Sequence, residues 1–181
     1  TAQPVLLDMI KSRDIKVLFV IRDPRDIAVS YFQYVTNIDI THPMHDYFVS
    51  LPDDEERLLA SIQKVGGKVT IGDLLRRYIP WLEAKDVYTC RFEDLIGPAG
   101  GGRKEQQHAV LHAIAEYLEI QMSVEEIERV AEHTFSKKSS TFRQGKIGNW
   151  RDYFLPSHIA AFKVAAGQEL IRYGYEKKQD W

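Results

Sequence analysis

The sequence contains a single cysteine among its 181 residues, Cys90. A disulfide within the chain is therefore excluded, and a reducing compartment is the simpler interpretation, so we expect a cytoplasmic protein. Cys90 ends the apolar run VYTC, where an unpaired cysteine ordinarily behaves as a small buried hydrophobic residue. We therefore predict that Cys90 packs in the core.

The chain also lacks an excess of charge of either sign, because 24 Lys and Arg residues stand against 26 Asp and Glu residues, a net charge of −2. A global basic field that would hold nucleic acid or an anionic membrane is absent, so we expect neither as a partner and any anion site must be local. No apolar stretch approaches membrane-spanning length. The opening residues carry neither the basic segment nor the cleavage site of a signal peptide, so we expect no such peptide.

The hydrophobic pattern predicts two strands. KVLFVI, residues 16–21, is a short continuous apolar run rich in β-branched and aromatic side chains, and it ends at the breaker RDPRD. Continuous apolarity of this kind is typical of a parallel strand that is covered on both faces. The second predicted strand is DVYTCRFED, residues 86–94, which the glycine-rich loop IGPAGGG follows.

Helix start and stop signals fill the sequence around these strands, beginning with Asp23 as an N-cap before Pro24. Two further pairs have capping-box spacing, Thr70 with Asp73 and Ser123 with Glu126. The predicted helices cover residues 24–32, 53–65, 74–84 with a bend at Pro80, 103–118, 124–133 and 156–173.

Strands that alternate with helices predict an α/β fold with a parallel sheet, in a single domain over residues 1–181. Ligands of such sheets bind beyond the carboxyl ends of the strands, which directs attention to Arg22 and to the segment after Phe92.

The segment VIRDPRDIAVSYF, residues 20–32, is the first candidate site. The strand delivers Arg22 at its carboxyl end, and a helix follows whose free N–H groups and positive dipole end favour anions. The guanidinium of Arg22 suits phosphate oxygens, and Ser30 adds a hydroxyl donor about two helical turns later. A structural interpretation is also open, in which Asp23 caps the helix, Arg22 pairs with Asp26 and Ser30 is merely small.

The segment TFRQGKIGNWRDYF, residues 141–154, is the second candidate site. It places three cations within nine residues: Arg143, Lys146 and Arg151. Gly145 and Gly148 allow a close backbone approach to an anion and can present N–H groups to it. Trp150 and Phe154 can anchor the loop or stack on a ring. The alternative is a basic surface loop whose aromatic residues plug the core.

Together these segments resemble the cytosolic-type sulfotransferase family. RDPRDIAVSYF resembles the family's 3′-phosphate-binding pattern R-x-P-x-D-x-x-x-S, and FRQGKIGNWRDYF is similar to its C-terminal signature F-R-K-G-x-x-G-D-W-K-x-x-F. Between them, CRFEDL resembles the family's strand ending in Y-E-D-L, and the order of the motifs agrees from about Lys16 to Tyr175. The resemblance implies a P-loop-NTPase-like parallel sheet flanked by helices, of which residues 1–181 form the C-terminal portion of one sulfotransferase domain.

The resemblance also implies a binding site for 3′-phosphoadenosine-5′-phosphosulfate (PAPS), the family's sulfuryl donor. Arg22 and Ser30 correspond to residues that bind its 3′-phosphate, and Arg143 with the backbone of Gly145 would hold the same phosphate from the other side. Gln144, in the same signature, takes the place of a basic residue.

The adenine side of that site is implied by two further segments. Phe92 stands where the family has a tyrosine that reaches the adenine, and it lacks the hydroxyl. The segment HTFS resembles the family's adenine-contacting H-T-S-F with two letters exchanged. We assign the adenine contact there to Thr134 and Phe135.

The activity that the resemblance implies is transfer of a sulfuryl group from PAPS to a hydroxyl or amine of a small-molecule acceptor, without a metal. The family's phosphosulfate loop, Y-P-K-S-G-T-T-W, has no counterpart in this chain, and its catalytic histidine, in K-T-H, would fall at or upstream of Thr1. We therefore assign no catalytic residue among residues 1–181, and expect that the chain by itself can be inactive. His108 and His112 have metal-compatible helical spacing without a third ligand, and we expect an ordinary helix face.

Two other functions remain open at this point. One is a non-catalytic nucleotide-binding module of the same fold, which the missing loop and base favour. The other is a nucleotide-dependent kinase of related fold, which would need Mg²⁺. The segment after Phe154 lacks the family's usual dimer motif, so the resemblance supports no dimer of that kind and leaves the oligomeric state open.

Overall fold

The structure is a computed structural model that describes residues 4–64, 67–135 and 145–181. Its elements are α1 (Pro4–Ser12), β1 (Val17–Ile21), α2 (Pro24–Asn37), α3 (His45–Ser50), α4 (Asp54–Gln63), α5 (Ile71–Arg76), α6 (Ile79–Glu83), β2 (Val87–Arg91), α7 (Phe92–Leu95), α8 (Lys104–Tyr117), α9 (Val124–His133) and α10 (Pro156–Arg172), with 3₁₀ turns at Pro98–Gly100 and Asn149–Asp152. They form two compact units. The first contains the described residues of 1–22 and 80–147, and the second those of 23–79 and 148–181. A single domain over residues 1–181 stays a prediction.

The first unit contains the parallel pair of strands, with Val17 opposite Val87 and Ile21 opposite Arg91. This pairing confirms the predicted α/β class with a parallel sheet. Tyr117 on α8 joins the beginnings of both strands, because its hydroxyl accepts the N–H of Val17 at 2.9 Å and donates to the carbonyl of Asp86 at 2.8 Å.

Two predictions about the strands are corrected. Leu18 and Val20 are 40% and 49% exposed, so β1 is not covered on both faces among the described residues. These side chains share one face because alternate residues of a strand point the same way. The second strand ends at Arg91 rather than Asp94, because β1 offers no pairing partner beyond Ile21 and the chain turns into α7.

The core of the first unit lies between α8 and α9, where Leu111, Ile127 and Ala131 are buried. The predicted capping box that begins α9 is confirmed. Ser123 Oγ accepts the N–H of Glu126 at 3.2 Å, and the Glu126 carboxylate accepts the N–H of Ser123 at 2.8 Å. This local cap fixes where α9 begins and therefore which of its faces meets α8.

The second unit is helical among the residues described, with α4 packed against α2 and α10 and with α10 also against α5. Its fully buried apolar side chains include Ala28, Val29, Phe32, Phe48, Leu58, Ile62, Phe162 and Leu170. Asp23 caps α2 as predicted, and the capping box of Thr70 with Asp73 is also confirmed. The predicted helix with a bend at Pro80 is instead two short helices that break at Arg77 and Tyr78. Pro80 lies in the first turn of α6, where its missing N–H costs no helical hydrogen bond.

Gly72 on α5 allows the closest approach of these helices. A Cβ atom added there would lie 1.8 Å from the carbonyl oxygen of Ala165 on α10, well inside any contact distance that real atoms adopt. The next residue of α10, Ala166, has non-helical dihedral angles. Only glycine fits this contact, which explains why the helix begins with Ile-Gly.

Candidate functional site

Arg22 and Phe92 lie next to each other where the two strands end. Each directly follows its strand, and the last residues of the strands, Ile21 and Arg91, are opposite one another. The Arg22 Cζ atom lies 4.7 Å from the centroid of the Phe92 ring, within the range of a cation–π contact. The structure therefore brings two of the predicted site residues together at the carboxyl edge of the strand pair, where ligands of α/β folds bind.

Gly145 lies against the glycine-rich loop that follows α7. A Cβ atom added to Gly100 would lie 2.8 Å from the carbonyl oxygen of Gly145, and the N–H of Ile147 donates to the carbonyl of Gly100 at 3.3 Å. Gly145 has a φ of +58°, a left-handed conformation that favours glycine. The predicted approach of the Gly145 backbone to a phosphate stays a prediction.

Thr134 is connected to the same region through Gln107 on α8. The buried side-chain amide of Gln107 donates to the Thr134 hydroxyl at 2.7 Å and to the carbonyls of Leu95 at 2.8 Å and Ala131 at 3.1 Å. It thus links the ends of α7 and α9. Sequence reasoning missed Gln107, although its position four residues before Leu111 places it on the buried face of α8.

Four further predicted site residues lie in different parts of the chain. Ser30 is half-buried on α2 in the second unit, and Phe135 follows Thr134 in the first unit. Arg143 and Gln144 lie outside the described residues. The binding roles of all four residues stay predictions.

Asp26 joins the two sequence motifs within the second unit. Its carboxylate is 1% exposed and accepts the backbone N–H groups of Gly148 and Trp150, each at 2.8 Å. Two such donors satisfy a buried carboxylate and are stronger than neutral hydrogen bonds. The N–H of Gly148 is therefore used inside the protein, which corrects the expectation that it is presented to a bound ligand.

Arg25 occupies the other side of the first turn of α2. Its guanidinium binds Asp23 through Nε and Nη2 and Glu176 through Nη1 at 2.7 Å. Its Cζ atom lies 4.1 Å from the Trp150 ring centroid and 4.6 Å from that of Trp181. Burial alone lowers the pKa of Arg25, but the bonds to the two carboxylates outweigh it and the net pKa is raised. Trp150 is buried beside this cluster, which agrees with the interpretation of a loop whose aromatic residues plug the core.

Two of the described histidines, His45 and His158, form hydrogen bonds with the backbone. His158 is buried, with Nδ1 accepting the N–H of Leu155 at 3.0 Å and Nε2 2.9 Å from the carbonyl oxygen of Glu55. His45 Nδ1 lies 2.8 Å from the carbonyl oxygen of Val35. These contacts hold the rings in the fold.

Other reactive groups are equally restrained in the part of the chain that the structure describes. Cys90 is buried as predicted, and burial together with Asp94 raises the pKa of its thiol. No cluster of three or more His, Cys, Asp or Glu side chains there is arranged to hold a metal ion. Within the same ranges, no helix has the length and apolar character needed to cross a membrane.

Each unit contains a cleft among its described residues. One, of about 1020 Å³, lies in the second unit along α4, α5 and α10, and the other, of about 520 Å³, lies along α9 in the first unit. Thr134 borders the smaller cleft, and none of the other predicted site residues that the structure describes borders either one.

Comparison with known proteins agrees with the sequence motifs. A family model described as the sulfotransferase domain matches residues 2–174. No curated protein sequence shows significant similarity to the chain.

Two similar solved structures share this fold. One is mouse sulfotransferase SULT7A1 complexed with PAP, with 19% identity and a TM-score of 0.62, covering 95% of this chain and 65% of that chain. Another is retinol dehydratase in complex with androsterone and the inactive cofactor PAP, with 19% identity and a TM-score of 0.64, covering 92% of this chain and 49% of that one. The chain therefore spans less than two thirds of these proteins, with which it shares the sulfotransferase fold. Because the family model covers nearly all of its residues, the chain belongs to the sulfotransferase domain family.

Proposed function

We propose that this chain forms the 3′-phosphate and adenine side of a PAPS site, in a protein that transfers a sulfuryl group to a hydroxyl or amine of a small-molecule acceptor. The observation that carries the proposal is the placement of Arg22 over Phe92 at the carboxyl edge of the strands, in a chain of the sulfotransferase family. Both similar structures contain PAP, and one also contains androsterone. The acceptor of this protein is proposed only as a small molecule.

The described residues fit the donor nucleotide chemically. Arg22 supplies a planar, permanently charged group whose paired donors match phosphate oxygens. Gly145 brings backbone close to the loop after α7, and Thr134 is held by Gln107 beside the end of that helix. PAPS supplies the activated sulfuryl group when it is bound. We assign these residues to orienting the donor, with Ser30 and Arg143 completing the phosphate contacts.

A second candidate is a nucleotide-binding module without catalysis. It is favoured because neither the family's phosphosulfate-loop pattern nor its K-T-H histidine occurs among the 181 residues. A sulfuryl-transfer assay of the whole protein separates the two, because only the enzyme consumes PAPS in the presence of acceptor. The single buried cysteine, Cys90, supports a proposed location in the reducing cytoplasm.

The test is calorimetric titration of PAP into the chain in the presence of EDTA. We expect binding without a divalent metal, whereas a kinase of related fold would need Mg²⁺. Arg22→Ala is expected to weaken binding by about 2–4 kcal/mol, roughly 30- to 700-fold in Kd, because a charge-assisted contact to phosphate is lost. Binding by the chain is rejected if folded wild-type protein does not bind PAP.

Lys104 provides a matched control, because it is an exposed cation of the same unit and pairs with Glu128 at 2.5 Å. Lys104→Ala is expected to leave the affinity for PAP unchanged. Equal losses in the Lys104 and Arg22 variants would indicate a general charge effect, and an unchanged affinity in Arg22→Ala would overturn the assignment of Arg22.

A further inference from the structure

Phe92 contacts the proposed phosphate-binding arginine directly. The two side chains follow neighbouring parallel strands at the same level, since Ile21 and Arg91 are paired. The guanidinium carbon of Arg22 is 4.7 Å from the ring centroid. The ring attracts the cation through its negatively polarised face and offers no oxygen or nitrogen acceptor to the N–H donors of Arg22. The ring can therefore restrain the cation without competing with a phosphate for its donors.

The ring itself stands on a fixed support. Phe92 is the first residue of α7, and its carbonyl accepts the N–H of Ile96 at 3.0 Å. The other end of α7 is held because the carbonyl of Leu95 accepts from the buried amide of Gln107 at 2.8 Å. A long arginine side chain loses rotamer freedom when it binds an anion, so restraint before binding raises affinity. An aromatic ring on a short, tethered helix supplies such a restraint.

The chemistry of the side chain favours this role over a polar contact to the base. Phenylalanine has no hydroxyl, so it cannot donate a hydrogen bond to an adenine nitrogen. Its negatively polarised face attracts a cation, and Arg22 lies over it.

We propose that Phe92 is a positioning residue that orients Arg22 toward the 3′-phosphate of the donor nucleotide. The proposal rests on the proposed function, and it assigns Phe92 a role that acts through Arg22 rather than through the adenine. A ring that acts through Arg22 matters only while the arginine is present. A ring that contacts the adenine, or that merely stabilises the fold, contributes whether or not Arg22 is there.

A double-mutant cycle on PAP binding tests this distinction. It compares the chain with Phe92→Leu, Arg22→Ala and the double variant, each titrated with PAP. We expect Phe92→Leu to weaken binding about three- to thirty-fold in the presence of Arg22, and less than about twofold in the Arg22→Ala background. Phe92→Tyr keeps the aromatic face and is expected to bind PAP within about twofold of the original chain. This variant also keeps the proposal testable if Phe92→Leu fails to fold.

The outcomes separate the proposal from the function on which it rests. Additive losses in the cycle, or tighter binding by Phe92→Tyr of more than about tenfold, would show that position 92 acts on the adenine and would overturn the proposal. An unchanged affinity in Phe92→Leu would also overturn it. Loss of PAP binding in Arg22→Ala with any of these results leaves the proposed donor site intact. Failure of the original folded chain to bind PAP removes the proposed function itself.

Discussion

Arg22 and Arg25 lie three residues apart in the segment RDPRD, yet the structure gives them different surroundings. Arg25 is 2% exposed and lies between two tryptophan rings and two carboxylates in the second unit. Arg22 is half-buried in the first unit and lies over the ring of Phe92 at the end of the strands. A strand end and a helix start thus place two identical side chains in different chemical environments.

The difference teaches that charge alone does not identify a binding residue. The guanidinium of Arg25 satisfies Asp23 and Glu176 inside the protein, so its charge is part of the fold. The position of Arg22 at the carboxyl edge of a parallel sheet is where α/β folds receive ligands. We therefore expect substitution of Arg25 to change stability and substitution of Arg22 to change nucleotide binding.

The largest effect is expected for Arg25→Met. The variant leaves Asp23 and Glu176 without their shared cation, and removal of one partner from a buried ion pair costs about 3–5 kcal/mol. We expect the free energy of unfolding to fall by that amount in urea denaturation. Tryptophan fluorescence reports on the transition directly, because Trp150 and Trp181 contact the substituted residue.

The contrast between the two arginines fails if substitution of Arg22 destabilises the protein as much as substitution of Arg25. Arg22→Met loses a cation–π contact of about 0.5–2 kcal/mol, so its unfolding free energy should change less than that of Arg25→Met. Lys104→Met removes an exposed ion pair and should hardly move the denaturation midpoint. Equal destabilisation by the Arg22 and Arg25 substitutions would mean that Arg22 serves the fold, and the proposed phosphate role would lose its basis.

A second, smaller effect concerns Gln107, which holds the region around the strand ends with a neutral amide. Gln107→Leu leaves the carbonyls of Leu95 and Ala131 without that donor, at a cost of about 1–3 kcal/mol for buried groups. Urea denaturation and hydrogen exchange of α9 amides measure the loss. Gln107→Glu is the near-isosteric control, and it should destabilise more because a carboxylate would face carbonyl oxygens. Equal stability of all three proteins would show that this amide does not hold the region together.

Local chemistry explains what could be predicted from the sequence. The caps at Asp23, Thr70 and Ser123 depend on atoms three or fewer residues away, so short spacing suffices to predict them. The same logic predicts the position of Arg22, since a continuous apolar run predicts a strand and the end of the run predicts the edge of the sheet. The family motifs added the order of these segments, which the family model supports over residues 2–174.

Long-range contacts explain what could not be predicted. Asp26 binds backbone groups 122 and 124 residues away, and no local pattern in the sequence predicts these partners. The resemblance places Phe92 where the family has a tyrosine that reaches the adenine. Its contact with Arg22 could not be predicted, because it depends on the register of two strands that residues 23–79 separate in the sequence. The exposed face of β1 could not be predicted either, because apolar residues at every position of a strand do not indicate which face is covered.

The smallest expected effect comes from Asp73, the exposed counterpart of Asp23, since both are capping aspartates that pair with an arginine. Bonds from Arg76 first, and then from the N–H and hydroxyl of Thr70, lower the pKa of Asp73 from its ordinary 3.8 to about 2. A pKa that is lower in the folded state contributes stability above pH 3.8, and this contribution disappears as the pH falls toward 2. Carbon-13 NMR titration of the Asp73 carboxyl measures the pKa, and Asp73→Asn should flatten the dependence of the unfolding midpoint on pH in this window.

Thr70→Val removes one donor and keeps the backbone N–H, so the pKa of Asp73 should rise only part of the way toward 3.8. A pKa of Asp73 at its ordinary value in the original chain would show that this capping box and ion pair do not stabilise the charged carboxylate in solution. The stabilising effect of such a cluster would then depend on burial, as at Arg25.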